Sequence, residues 1–138
     1  MLFQDEHIRK YEETDGAVGH EWMEGVHALV LTTKGRRTGH ERKFAVIYRQ
    51  VGEDFVTVAS RGGADTHPNW YLNLVVNSTV RVQVGAEKFI AKARIADGPE
   101  REQLWLLMVE TFPTFAEYQQ ATARVLPVVV LERQSPAV

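Results

Sequence analysis

Cysteine is absent from the 138 residues, which removes disulfides, thiolate metal sites and cysteine nucleophiles from consideration. No apolar run approaches the roughly 20 residues a helix needs to cross a bilayer. The opening Met1-Leu2-Phe3-Gln4-Asp5-Glu6-His7 has neither the basic nor the apolar region of a secretion signal. Neither sign of charge prevails: 16 Lys and Arg stand against 18 Asp and Glu, for a net charge of −2. The molecule as a whole therefore has no field suited to nucleic acid or to an acidic membrane. The five histidines lack metal-ligand spacing, so no metal site is expected. Neither the phosphate loop of nucleotide hydrolases nor the glycine fingerprint of dinucleotide binders occurs. What remains, 44% hydrophobic and 25% charged, is the composition of an ordinary globular protein. One domain over residues 1–138, cytoplasmic by default, is the expectation.

The most organised stretch runs from Val58 to Asn73. Phe55 to Ala59 is β-branched and apolar, as in a buried strand. Gly62-Gly63 permits a sharp turn and brings backbone amides within reach of a ligand. Pro68 suits a first helical position, with Thr66 or His67 in capping range, and Trp70, Tyr71 and Leu74 supply a packing face. Such a helix start offers unpaired amides and a positive dipole end, which favour an anion or a carbonyl oxygen. No nucleophile is paired with a base here. The stretch reads as a holding site.

Around it, the periodicity changes from segment to segment. Phe3 to Thr14 puts Phe3, His7, Ile8 and Tyr11 on one helical face. Its mixed charges favour docking on the domain over lying on a membrane. Gly19 to Gly25 carries no assignable pattern. Strands are predicted over His27–Thr33, Arg42–Arg49 and Phe55–Ala59, and, after the central helix, over Thr79–Val84 and Glu87–Ile95. Asp97 to Glu100 starts a helix with Leu104, Leu107, Met108 and Thr111 on one face. Pro113 stops it, Thr114 caps another, and Pro127 to Leu131 is the last strand. About six strands joined mostly by tight turns favour antiparallel pairing and closure. The predicted fold is mainly β: a small barrel with a central helix and terminal helices, residues 1–25 forming a helix and connector and residues 26–133 the barrel core.

Between the first two strands Lys34, Arg36, Arg37, Arg42 and Lys43 are opposed by Glu41 alone. Arginine forks there, with the Thr38 hydroxyl, suit phosphate or several carboxylates; a solvated hairpin explains the same composition. Ser60 and Arg61 flank the glycine turn. Trp70 and Tyr71, taken alone, read as core aromatics, and capping accounts for Asp65 and His67. Phe115 and Tyr118, three residues apart, either wall a pocket or pack one helix on another.

Two motifs carry a resemblance: Thr32-Thr33-Lys34-Gly35-Arg36-Arg37-Thr38-Gly39, and the run from Ala59-Ser60-Arg61-Gly62-Gly63 through His67-Pro68-Asn69-Trp70-Tyr71-Leu72-Asn73-Leu74. Together with Phe112-Pro113 and Leu126-Pro127-Val128-Val129-Val130 they resemble the deazaflavin-dependent nitroreductase family of actinobacteria. The resemblance implies a split β-barrel oxidoreductase. Its cofactor would be coenzyme F-420, an 8-hydroxy-5-deazaflavin whose tail bears a phosphodiester and glutamates. FMN, with a single terminal phosphate, fits the spread of cations less well. By the same resemblance, Lys34, Arg36, Arg37 and Thr38 contact the tail and phosphate. Arg42, Lys43, Phe44, Ala45, Val46 and Ile47 run along the coenzyme, Val58, Ala59, Ser60 and Arg61 meet its ring and phosphate, and Asn69, Trp70, Tyr71, Leu72 and Asn73 pack beside it. Phe115 and Tyr118 face the substrate, with Tyr118 and Ser60 the candidate catalytic hydroxyls. The implied partner is a small acceptor such as a quinone, enone or nitro compound, taken by a monomer or homodimer that binds neither nucleic acid nor membrane. Two positions depart from the pattern: Phe115 stands where nitroimidazole-reducing members carry tyrosine, and Phe44-Ala45 replaces an Asn-Pro pair. A barrel that holds coenzyme, FMN, haem or a fatty acid without turnover is the alternative.

Overall fold

The computed structural model describes residues 4–134. Helix α1 (Gln4–Glu13) leads into a short strand β1 (Glu21–Met23), then β2 (Val26–Lys34), β3 (Glu41–Val51) and β4 (Asp54–Val58). A 3-10 turn at Arg61–Gly63 and helix α2 (Asn69–Val76) separate these from β5 (Thr79–Val84) and β6 (Glu87–Ile95). Helices α3 (Gly98–Thr111) and α4 (Thr114–Gln120) precede the last strand, β7 (Val128–Arg133). The strands lie in the order β1-β2-β3-β4-β7-β6-β5, and β2 pairs with β5 as well. All pairings are antiparallel. Six strands thus close on themselves, with β1 as an extra strand beside β2.

Closure removes free strand edges and creates an inside. Leu29, Leu31, Phe55, Phe89 and Leu131 fill it, and α2 contributes Trp70 and Leu74. A second core forms outside the barrel, where Val56, Val58, Val128 and Val130 meet Met108 of α3 and Phe115 of α4. Strands β4 and β7 are consequently buried on both faces, which explains the apolar run Val128–Leu131 in β7 and the apolar residues on both faces of β4, where Thr57 is buried too. Helix α1 closes a third patch, with Ile8 and Tyr11 packed on Val30. The Tyr11 hydroxyl accepts from the Gly85 amide at 2.7 Å and donates to the Gln83 carbonyl at 3.3 Å. Burial pushes its pKa up to about 12, so it stays a neutral donor. Truncating a buried side chain such as Met108, fully enclosed in the second core, should cost about 2–5 kcal/mol.

Several sequence expectations need correction. The unassigned connector contains β1, too short to show a period. Pro68 lies just before α2 and is not its first residue, and neither Thr66 nor His67 caps the helix. The reason is local: proline restricts the residue before it to extended backbone, and both side chains are committed elsewhere. Thr66 accepts from the Arg61 guanidinium, and the His67 ring contacts Arg124. Thr114 caps nothing, since Pro113 occupies the position before α4. On α3 the packed residues are Leu104, Trp105, Met108 and Val109, with Leu107 off the stripe, and the Thr111 hydroxyl donates back to the Leu107 carbonyl. Of the predicted face of α1, His7, Ile8 and Tyr11 are buried, while Phe3 lies outside the described residues. No helix among the described residues is long and apolar enough to cross a membrane.

Candidate functional site

The hairpin between β2 and β3 is closed by backbone bonds from Gly35 to His40 (2.7 Å) and from Gly39 to Gly35 (2.8 Å). Asn73 of α2 brackets it from beneath. Its Oδ1 accepts from the Arg36 amide at 3.2 Å and from the Arg36 guanidinium at 2.9 Å, and its Nδ2 donates to Thr33 Oγ1 at 3.0 Å. Above this bracket opens a cleft of about 230 Å³, lined by Gly35 to Thr38, Arg42, Phe44, Asn69 and Asn73. Three arginines and no carboxylate line it. The predicted cationic cluster is therefore partly divided. Lys43 leaves it for Glu12 of α1 at 2.7 Å, and Lys34 is exposed outside the cleft. Glu41, the one carboxylate of the hairpin, is held by Arg81.

A second cleft, of about 210 Å³, shares no lining residue with the first, although neighbouring residues line the two. Phe44 lines the first and Ala45, Val46 and Ile47 line the second, while Asn69 and Trp70 divide in the same way. The first cleft is basic and the second largely apolar, and β3 contributes to both. Phe44 to Ile47 are only half-buried and alternate in face along the strand: Phe44 and Val46 pack on the barrel core, Ala45 on the patch under α1 and Ile47 on the second core. Val58, Ser60 and Arg61 line the second cleft from β4 and the loop that follows; Phe115 and Tyr118 of α4, with Trp22, supply its aromatic wall. His7 and Gln4 of α1 and Ala28 of β2 complete the lining. The His7 ring nitrogen Nε2 sits 2.7 Å from the Gly19 carbonyl, which fixes α1 to the connector.

The wall at Ser60 and Arg61 is an irregular loop. Arg61, Gly62 and Gly63 all have positive φ (47°, 63° and 81°), a left-handed run that two glycines make affordable. Gly63 lies so close to α4 that a Cβ there would stand 2.8 Å from the Tyr118 carbonyl oxygen. Arg124, from the segment between α4 and β7, reaches back into the loop. Its guanidinium donates to the carbonyls of Ala59 (3.1 Å), Ser60 (2.8 Å) and Ala64 (3.0 Å), and lies 3.0 Å from His67 Nδ1. Burial, then the charge of Arg124, holds the His67 imidazole below its usual pKa; the neutral ring can accept that bond and stacks 4.5 Å from Tyr71.

Of the residues singled out in the sequence, the basic compartment gathers Arg36, Arg37, Thr38, Arg42, Phe44, Asn69 and Asn73. The apolar one gathers Ala45, Val46, Ile47, Val58, Ser60, Arg61, Trp70, Phe115 and Tyr118. Outside both are Lys34, Lys43, Ala59, Tyr71 and Leu72. Ala59 is a core residue whose amide donates to the Pro127 carbonyl and whose carbonyl accepts from Arg124, and Tyr71 packs against the barrel core and His67. Gln4, His7, Trp22, Ala28 and Arg124 went unforeseen. Trp22 lies in the connector without a period, and a lone arginine after a helix gives no signal at all.

The structure is a closed antiparallel barrel carrying a cationic cleft and an apolar, aromatic one. The class it defines is the split β-barrel reductase. The family model for F-420H(2)-dependent quinone reductase matches residues 3–133, and the chain belongs to that family of oxidoreductases, whose coenzyme is F-420. It is 34% identical over 131 residues to an F-420H(2)-dependent quinone reductase of Mycobacterium tuberculosis, covering 93% of this chain and 88% of that one. A solved structure of an F-420-H2 dependent reductase, FDR-A, superposes with a TM-score of 0.71 at 39% identity, over 76% of this chain and 93% of that one. Another, described as a domain-swapped dimer, gives a TM-score of 0.73 at 35% identity, over 92% of this chain and 98% of that one.

Proposed function

We propose that this chain binds reduced coenzyme F-420 along β3 and uses it to reduce quinones and related activated acceptors such as enones or nitro compounds. The observation that carries the reading is the pairing of a cleft lined by three arginines with a largely apolar cleft lined by aromatic side chains, which we read as one groove because β3 and α2 contribute neighbouring residues to both. The residues fit the group on two grounds: no carboxylate lines the basic compartment to oppose an anionic tail, and Val46, Ile47, Trp70, Phe115 and Tyr118 give the second cleft an apolar, aromatic lining for a flat ring. When bound, the reduced deazaflavin supplies the hydride.

The chain's own residues hold and orient. Arg37 and Arg42 present guanidinium forks to phosphate or glutamate oxygens, and Arg36 does so with the donors that Asn73 leaves free. Val46, Ile47 and Val58 would supply apolar contacts for the ring, and Ser60 and Arg61 polar ones. Trp22, Phe115 and Tyr118 would hold the acceptor in the same cleft. A quinone that takes a hydride also needs a proton, and the Tyr118 Oη and Ser60 Oγ are the hydroxyls that line this compartment. Phe115 has no hydroxyl and contributes shape alone. Positioning and exclusion of water supply the rate.

The test is oxidation of reduced F-420 by the purified protein, followed optically, with a quinone, an enone and a nitroimidazole in parallel. Quinone turnover carries the reading. Tyr118→Phe should then lower turnover while coenzyme affinity holds. Coenzyme binding without oxidation by any acceptor would leave a carrier, not an enzyme.

A further inference from the structure

We infer that Arg124 is a positioning residue for hydride transfer, its guanidinium holding the ring-facing loop at Ser60–Arg61 in register with the acceptor-facing helix α4. The inference rests on the function proposed above. Four contacts of one guanidinium converge on a single irregular loop: the carbonyls of Ala59, Ser60 and Ala64, and the ring of His67. Of these carbonyls, only that of Ser60 also accepts a backbone bond, from Gly63. The loop has left the barrel ladder, so its carbonyls need partners from elsewhere, and the guanidinium supplies them on both sides of the left-handed backbone at Arg61, Gly62 and Gly63.

The arginine is itself anchored to α4. The Gln119 side chain donates to the Arg124 carbonyl at 2.7 Å and accepts from the Leu126 amide at 2.9 Å. Thr122 Oγ1 accepts from the Arg124 amide at 3.1 Å and donates to Asp65 Oδ1 at 2.8 Å. Gly63 meets the Tyr118 backbone from the loop side. Ser60 and Arg61 in the loop wall, and Phe115 and Tyr118 in the aromatic wall, are thus fixed relative to each other through Arg124. Its place relative to the groove is equally informative. Arg124 lines neither compartment, so it acts through the loop and does not itself meet the ring or the acceptor. By holding the carbonyls from behind, it sets where the Ser60 and Arg61 side chains stand at the rim.

A fork with several donors is required, because one ammonium cannot span carbonyls four and five residues apart together with an imidazole. Displacing either wall by about 1 Å slows a positioned reaction on the order of 100-fold. The experiment compares wild type, Arg124→Ala and Arg124→Lys by three measurements: coenzyme affinity by fluorescence, single-turnover oxidation of reduced F-420 by excess quinone, and melting temperature. For Arg124→Ala we expect the single-turnover rate to fall about 100-fold, with coenzyme affinity falling less than about fivefold. Millimolar guanidinium chloride should recover at least about tenfold of that rate, against equal sodium chloride, by refilling the vacated fork. Arg124→Lys should be slow and not rescued. Wild-type rates in both variants would overturn the inference, as would parallel loss of affinity, rate and melting temperature without guanidinium rescue. Should the alanine variant fail to fold, the lysine variant decides: slow transfer at a native melting temperature supports positioning, and a wild-type rate refutes it. A wild-type protein that does not oxidise reduced F-420 refutes the function itself, a separate result.

Discussion

Alanine at Gly63 makes the sharpest probe of how the loop and α4 are joined. Two costs combine there. The backbone is left-handed, with φ of 81°, which charges an L-residue about 1–2 kcal/mol. The added Cβ would stand 2.8 Å from the Tyr118 carbonyl oxygen and 3.0 Å from its Cα, and crowding against backbone costs about 1–3 kcal/mol more. Stiffening of the unfolded chain returns about 0.4–1 kcal/mol. A net loss of about 3 kcal/mol follows, or roughly 12 °C in Tm for a chain of this size. Gly62→Ala is the matched control: its φ is 63°, yet nothing lies within 4 Å of its Cβ. Strain alone should cost it about 1 kcal/mol, roughly 4 °C. Thermal denaturation of both variants isolates the contact with α4 as their difference. Because Gly63→Ala pushes on Tyr118, its KM for quinone should rise while Gly62→Ala leaves KM unchanged. Equal melting temperatures for the two variants would show that the loop and α4 are not in the contact described.

Other expectations follow from the same geometry. Arg36→Ala combined with Arg37→Ala should weaken F-420 binding more at low salt than at high salt, because the cations act on an anionic tail through a screened field; titration at two ionic strengths checks this, and equal loss at both contradicts it. Asn73→Leu removes the bracket between Thr33 and Arg36 and leaves the buried Thr33 hydroxyl without its donor and the part-buried Arg36 amide without its acceptor, which should cost about 2 kcal/mol by chemical denaturation and loosen coenzyme binding together. The imidazoles of His20 and His67 both sit below the ordinary value of 6.5, chiefly through burial. Below about pH 6.5 the unfolded chain therefore binds more protons than the folded one, and stability falls as pH drops further. Melting temperatures from pH 8 to pH 5 should decline, and less steeply in His20→Gln, whose wild-type ring meets the Tyr48 hydroxyl at 2.6 Å; a flat profile would contradict both assignments.

How much of this was readable in the chain depended on the range over which each feature is decided. Strands with one buried face, such as Thr79–Val84, announce themselves by alternation, β7 by the apolar run Val128–Leu131, and β4 by its β-branched and aromatic residues. The β1 strand, at three residues, is too short to carry a period. At α2 the sequence misleads, since Pro68 sits one residue before the helix and the candidate caps are taken by partners. The groove was legible where its residues are contiguous, along Arg36–Thr38, Phe44–Ile47 and Ser60–Arg61. What stayed hidden were pairings across the chain: Lys43 with Glu12, 31 residues away, and Arg36 with Asn73, 37 residues away. Arg124 was invisible for the same reason, as its partners lie some 60 residues earlier.

The most direct measurement is a fluorescence titration of the purified protein with coenzyme F-420 beside FMN, at low and moderate salt. Tight binding of the deazaflavin, much weaker binding of FMN and a salt-sensitive F-420 affinity are predicted, because three arginines and no carboxylate line the cleft proposed for its long anionic tail. Preference for FMN, or binding of neither, would contradict the assignment of the groove.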